Sequence, residues 1–195
     1  MTGDFTAAEI PEAVKDYLVA HVKPSRIEHT KGVVKTAEEL SRRFGADPAK
    51  AMTASWFHDM ARNLPIEKLD SYVLSFDLGR RLLGNPDLSH SKVAAALMKR
   101  DFGVRDQEIL DAVAFHTTAR AGMGPVEKVV FLADAIEPGR SYPGVDEIRE
   151  EALRDLDRAC LMSLEGTIGF LREKGVYIDP DTIEARDHFA EIIKG

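Results

Sequence analysis

The segment WFHDMARNLP, residues 56–65, sets an imidazole and a carboxylate side by side, His58 and Asp59, in an apolar, alanine-rich stretch. An isolated carboxylate is costly to desolvate, and burial drives it toward its neutral form. The pair is therefore either a helix-surface feature flanking Trp56 and Phe57 or part of a metal site, and alone it does not decide. The same question arises elsewhere. His29 lies one turn before Val33, His90 one turn before Val93 and Ala94, and His116 three residues after Val113. Asp134 follows Val130 by four residues and sits between Ala133 and Ile136. Helical spacing puts each on the face of its apolar neighbours. Taken singly, each histidine reads as a hydrogen-bonded core residue. Asp134 needs a partner or a metal on such a face. Four imidazoles and two carboxylates converging in one core would suit zinc, iron or manganese. Two metals would also neutralise the carboxylates and explain their burial.

Five helices must bring these residues together, and the punctuation supplies them. TAAE, Thr6–Glu9, has capping-box spacing before Ile10, Val14, Tyr17 and Leu18. PSRIEHTKGVVKTAEELSRRFGADP reads as a long helix with the stripe Val33, Ala37, Leu40 and Phe44. Gly45 stops it, Asp47 caps the next helix, and Pro48 opens that helix, which is expected over 48–61. The turn-rich LGNPDLS precedes a helix through SHSKVAAALMKRDFG. RDQEILDAVAFH and PVEKVVFLADAI follow as helices, separated by TTARAGMG. After the loop EPGRSYPG, one long helix is expected over 145–174 and a last one over 180–192. VYID is too short for a convincing strand. The expectation is an all-α chain of about eight helices, one domain over 1–195.

Composition narrows the function classes. The chain has 195 residues, 44% hydrophobic and 30% charged, an ordinary soluble balance. Its net charge of −7 argues against nucleic-acid binding through a basic surface. With Cys160 the only cysteine, neither an intramolecular disulfide nor a cysteine-rich zinc site can form. Cys160 reads as a small buried hydrophobe, and Met52, Met98 and Trp56 as core packing rather than an adenine platform. His188 follows no metal spacing. No apolar run approaches the roughly 20 residues of a membrane span, and the first residues lack signal-peptide character. The expected location is the cytoplasm.

The order His29, His58–Asp59, His90, His116, Asp134 resembles the HD-domain metal phosphohydrolases, whose pattern is H…HD…D. The two intervening histidines are like those of the dinuclear members. RIEHTKGV, HDMARNLP, HSKVAAALM, FHTTARAGM, EKVVFLADAIEPGR and IREEALRDL together resemble the YqeK family, the bacterial symmetrical diadenosine tetraphosphate hydrolases. The likeness runs from about Ser25 to about Leu164, with the helices of 145–192 packed on that HD core.

The resemblance implies a helical bundle with a metal site in its core. His29, His58, Asp59 and Asp134 would hold one metal, and His90 and His116 the second, with Asp59 bridging. Iron is the metal implied, while the ligand set itself also admits manganese or zinc. A shared water of lowered pKa would then attack phosphorus in line as hydroxide. Diadenosine tetraphosphate would give two ADP, an acid-anhydride hydrolysis that needs no protein nucleophile. The polyanionic substrate needs cations. Arg62 follows His58 by four residues and Asp59 by three, on the same side if the helix continues, and HD enzymes often carry a cation here. Arg140 in EPGR is the second choice and Arg26, three before His29, a third. Asp59, Arg62 and Arg140 are the catalytic candidates; Arg26, Thr117, Thr118 and Arg140 are the substrate contacts. Lys31 and Lys35 read as solvated. Glu28 and Glu137 are candidates to orient ligand histidines. One departure stands out: the family commonly has Gly after HTT, and here Ala119 follows. If that position needs a positive φ, alanine strains or redirects the loop.

Two other classes fit the same ligands. One is an HD phosphohydrolase acting on another nucleotide; the Gly-Tyr-Pro signature of cyclic-dinucleotide enzymes is absent, SYPG being only an echo. The other is a metal-stabilised module that binds nucleotide without turnover. A monomer and a homodimer are both compatible with the sequence.

Overall fold

The computed structural model describes residues 12–194. Among them there are ten α-helices, a single 3-10 turn at Arg80–Leu82, and no strand. α1 spans Glu12–His21 and buries Val14 and Leu18. The Thr6–Glu9 cap and Ile10 lie outside the described residues.

α2 (Pro24–Phe44) opens on proline and buries Val33, Ala37 and Leu40, with Phe44 half-buried. Gly45 ends it at φ 70, a left-handed conformation that glycine adopts without cost. Asp47 then accepts hydrogen bonds from the Ala49 and Lys50 amides and starts α3, Pro48–Phe57. That helix is shorter than the expected 48–61. After Phe57 the chain tightens into three-residue turns, with Met60 N–H bonding Phe57 O, Arg62 N–H bonding Asp59 O and Leu64 N–H bonding Ala61 O. His58 and Asp59 therefore stand at a helix exit.

α4 (Ile66–Ser75) was not among the expected helices; it buries Leu69 and Val73. α5 (Pro86–Asp101) is capped by Asn85, and α6 (Gln107–Phe115) by Asp106. α7 spans Pro125–Ile136 and is buried along most of its length. The expected helix over 145–174 is two helices, α8 (Val145–Ala152) and α9 (Leu156–Glu173). Asp155 breaks it: its backbone is extended at φ −150, and its carboxylate accepts from the Asp157 and Arg158 amides. A carboxylate spent on the next helix's free N–H groups is a standard N-terminal cap. α10 spans Pro180–Lys194.

α2 packs on α3 and α7, α6 packs on α3, α5 and α7, and α9 ties α7 to α8 and α10. Ala37, Ala51, Ala54, Ala112 and Ala133 are all almost fully buried in this core. Small side chains let helices approach closely, and this is what brings polar groups from α2, α3, α5, α6 and α7 to one point.

Candidate metal centre

His29 comes from the second turn of α2, His58 and Asp59 from the exit of α3, His90 from α5, His116 from the exit of α6 and Asp134 from α7. All six meet. Asp59 is the hub and is 4% exposed. Its Oδ2 lies 3.3 Å from His58 Nε2 and 3.7 Å from His29 Nε2. Its Oδ1 lies 3.3 Å from His90 Nε2 and 4.0 Å from His116 Nε2. Asp134 Oδ1 faces the first pair, 3.0 Å from His29 Nε2 and 3.9 Å from His58 Nε2. One carboxylate thus turns one oxygen to each pair of imidazoles.

The four rings are held the same way round. His58 Nδ1 donates to Ser55 O at 2.6 Å, His90 Nδ1 to Pro86 O at 3.0 Å and His116 Nδ1 to Val113 O at 2.8 Å. His29 Nδ1 donates to Glu137 Oε1 at 3.1 Å. A carbonyl can only accept, so the Nδ1 atoms of His58, His90 and His116 carry the proton, as does that of His29 against an ionised carboxylate, and in the neutral ring Nε2 carries a lone pair. The lone pairs of His90 and His116 face each other at 3.2 Å. Those of His29 and His58 are buried without a hydrogen-bond partner. Such an arrangement calls for cations among the rings, and the donor set of nitrogens and carboxylate oxygens fits divalent transition metals. Three overlapping groups could each hold an ion: His29, His58 and Asp59; His58, His116 and Asp134; and Asp59, His90 and His116.

The electrostatics point the same way. Burial works to raise the Asp59 carboxyl, but His58 and His90 outweigh it and hold the group well below the usual carboxylate range. Asp134 is likewise held down against its burial, by the adjacent His29 imidazole, Arg140 and His58. Burial, reinforced by His58 and His90, lowers His116 to about 3, so this ring stays neutral and free to ligate. His58 is the exception and is raised: Asp59 overcomes a desolvation that works against its charge, which favours the cationic ring over the ligating one.

The arginines divide. Arg26 Nη1 donates to Asp59 Oδ2 at 3.0 Å, and Arg140 clasps both the carboxylate and the backbone carbonyl of Asp134. Both remain part-exposed at the cluster's rim. Arg62 leaves the helix before it could share a face with His58. Its guanidinium donates to Asp87 at 2.5 Å and to Pro86 O at 3.3 Å, the carbonyl that also holds His90. Thr117 Oγ1 lies 3.2 Å from His116 Nε2. Thr118 is buried and gives its hydroxyl proton to Ala119 O. Ala119 has φ 57, so the loop does take the left-handed conformation at this alanine. Of the two glutamates, Glu137 orients His29, whereas Glu28 is exposed and pairs with Lys31.

Sequence reasoning did not single out Arg149 on α8. It donates to Ile136 O and Glu137 O at 2.9 Å each and to Arg140 O at 2.7 Å. The turn carrying both Glu137 and Arg140 is thereby pinned from outside. Its only signal was its place in IREEALRDL, a motif that named no role for it.

Comparison with known proteins agrees with this geometry. The HD-domain family model matches residues 26–139. The chain is 45% identical over 170 residues to a Bacillus subtilis protein named symmetrical bis(5'-nucleosyl)-tetraphosphatase, covering 87% of this chain and 89% of that one. A Staphylococcus aureus protein of the same name is 34% identical over 84% of this chain and 86% of its own. A crystal structure from Clostridium acetobutylicum, described as a predicted HD superfamily hydrolase involved in NAD metabolism, superposes with a TM-score of 0.89 at 38% identity. It covers 93% of this chain and 97% of that one. The chain belongs to the HD-domain family, and within it to the group of the symmetrical bis(5'-nucleosyl)-tetraphosphatases.

Proposed function

We propose that this chain is a metal-dependent phosphohydrolase that cleaves dinucleoside tetraphosphates symmetrically, diadenosine tetraphosphate giving two ADP. The observation that carries the reading is the buried Asp59 carboxylate, with one oxygen toward His29 and His58 and the other toward His90 and His116. This is a bridging ligand's arrangement, in a chain whose relatives carry that activity in their names. We assign His29, His58, Asp59 and Asp134 to one metal and His90, His116 and Asp59 to the other, with iron as the native ion. Bound metals would supply Lewis acidity and a water of lowered pKa.

The chain's own groups do the rest. Asp59 keeps the two halves in one frame, and the four Nδ1 hydrogen bonds fix the rings so that no reorganisation is needed on binding. Arg26 and Arg140 are the phosphate contacts in this reading. Planar guanidinium forks suit phosphate oxygens, and charge placed before the reaction stabilises the transition state most cheaply. Arg62 acts at one remove, by holding the first turn of α5 and hence His90. Thr117 offers a hydroxyl at the rim of the His90 and His116 half. The departing nucleoside diphosphate needs charge stabilisation rather than a covalent nucleophile, and Cys160 is fully buried in α9. No helix among the described residues is long and apolar enough to cross a membrane, and the reading carries with it a cytoplasmic location.

The test is metal content by elemental analysis beside diadenosine tetraphosphate turnover on one preparation, for the wild type and Asp59→Asn. The expected result is about two transition metals per chain, ADP as sole product, and loss of both metal and turnover in the variant. Metal-loaded wild type that leaves the substrate intact would overturn the substrate. Undiminished metal and activity in Asp59→Asn would overturn the site.

A further inference from the structure

The two halves of the cluster are not built alike. In the His90 and His116 half, both rings are held by neutral helix carbonyls within their own helices. His58 is held the same way. His29 alone among the four is backed by a carboxylate, from a residue 108 positions away.

That carboxylate is itself built in. Glu137 is 5% exposed, and its Oε2 accepts from Gly139 N–H at 2.6 Å. Two glycines leave it room. A Cβ on Gly32, one turn after His29 on α2, would come within 2.6 Å of Glu137 Oε2. A Cβ on Gly139 would come within 2.9 Å of Oε1. Gly32 has no call for unusual backbone freedom, since it lies in the middle of α2, so the space it leaves for Glu137 is its evident use. Arg149 fixes the backbone of the same turn from α8. The chain of contact runs from α8 through the 137–140 turn to His29 Nδ1 and out at Nε2.

We propose that Glu137 is the positioning residue of His29, and that its carboxylate makes the half containing His29, His58, Asp59 and Asp134 the tighter of two unequal metal positions. A carboxylate acceptor on the far nitrogen raises the basicity of a ligating imidazole and locks its orientation. A backbone carbonyl does the second but less of the first. The half it supports also has the larger share of carboxylate oxygens, because Asp134 Oδ1 lies 3.0 Å from His29 Nε2 and 3.9 Å from His58 Nε2. The inference rests on the metal-centre reading above.

The experiment is Mn(II) titration of the metal-free protein, followed by loss of the free-ion electron paramagnetic resonance signal. Wild type, Glu137→Gln and Gly32→Ala are compared, with circular dichroism to establish that each is folded. The wild type is expected to show two classes of site. Glu137→Gln should weaken the tighter class by about 10–100-fold and leave the weaker class within about threefold. Gly32→Ala keeps the charge but displaces the carboxylate, and should weaken the same class in a helix that alanine otherwise favours. A merely structural role would move both classes together. If Glu137→Gln does not fold, Gly32→Ala decides alone. Mn(II) uptake with the tighter class unchanged in the folded variants, or with both classes weakened equally, overturns this inference. No uptake by the wild type overturns the metal-centre reading and the inference with it.

Discussion

Arg149 touches none of the six clustered histidines and aspartates, yet the structure makes it the support of the turn that carries Glu137 and Arg140. Arg149→Met keeps most of the aliphatic stem and removes the guanidinium. Three carbonyls, of Ile136, Glu137 and Arg140, lose a charged donor. A hydrogen bond to a charged group is worth about 1.5–3 kcal/mol, but these three share one half-buried side chain and water can replace some of them. The net cost should be about 2–4 kcal/mol rather than three full bonds. For a chain of this length, each kcal/mol moves the thermal midpoint by roughly 2–4 °C, so a fall of roughly 5–15 °C is expected. The catalytic effect should be separable from it. Loosening the turn misplaces Glu137 behind His29 and Arg140 behind Asp134, and small misplacements remote from the chemistry cost up to about 10²-fold. Calorimetry gives the first number. kcat/KM for diadenosine tetraphosphate, taken well below the lowered midpoint, gives the second. Arg149→Lys, which can still reach one carbonyl, should fall between. A destabilised Arg149→Met with undiminished kcat/KM would refute the claim that this turn positions the site, and an unchanged midpoint would refute the hydrogen-bond accounting.

Two further outcomes follow from features away from the ligands. Ala119→Gly removes a left-handed alanine worth about 1–2 kcal/mol of strain, but also a fully buried methyl worth about 0.8 kcal/mol and unfolded-state order worth about 0.4–1 kcal/mol. The terms nearly cancel, so chemical denaturation should show a change within about 1 kcal/mol; a gain above about 2 kcal/mol would mean that the HTT loop is strained well beyond this one residue. Cys160 is fully buried, and desolvation holds its thiol well above the usual value. The native thiol therefore stays protonated where the unfolded one ionises: its contribution to stability is fully present below about pH 9 and is lost above it, at about 1.4 kcal/mol per pH unit. Cys160→Ala should flatten that part of a stability–pH curve measured by urea titration, and the native wild type should resist thiol reagents at neutral pH; an unaltered slope in the variant would contradict the assignment.

The fold was most legible where chain termination is chemical. Pro24, Gly45, Asp47 and Pro48 each act through their own backbone or a neighbouring amide, and the ends of α2 and the start of α3 fell where those residues put them. The failures share a cause. At residues 58–63 the sequence HDMARN contains good helix formers and neither glycine nor proline, so local propensity carries the helix on. The tertiary need wins instead: adjacent residues on a continued helix diverge by about 100°, whereas His58 and Asp59 must both face the cluster. The break at Asp155 was silent for a similar reason, being one carboxylate in the polar run LRDLDRA. α4 begins without a side-chain cap, after Pro65, and gave no start signal despite the helical spacing of Leu69 and Val73.

For the site, burial made the clustered histidines and aspartates readable and the same logic left the cations obscure. A histidine or aspartate on an apolar stripe violates the pattern around it, and six such violations in five helices are informative together. An arginine at a rim violates nothing, and its stem spans enough distance to reach several partners. The sequence therefore nominated Arg26, Arg62 and Arg140 from among 26 lysines and arginines by spacing to the ligands alone. Arg26 and Arg140 do lie at the cluster, where they reach Asp59 and Asp134. Spacing failed for Arg62 because it presumed a helix that ends at Phe57, and the freed side chain goes to Asp87. Arg149 was beyond reach for a different reason: its partners are backbone carbonyls, which carry no sequence signature. What distinguishes Glu137 from Glu28 is likewise not its type but the glycines that leave it space, Gly32 on one helix and Gly139 in its own turn. Substituting either tests whether that space, rather than the carboxylate alone, is what the His29 half of the centre depends on.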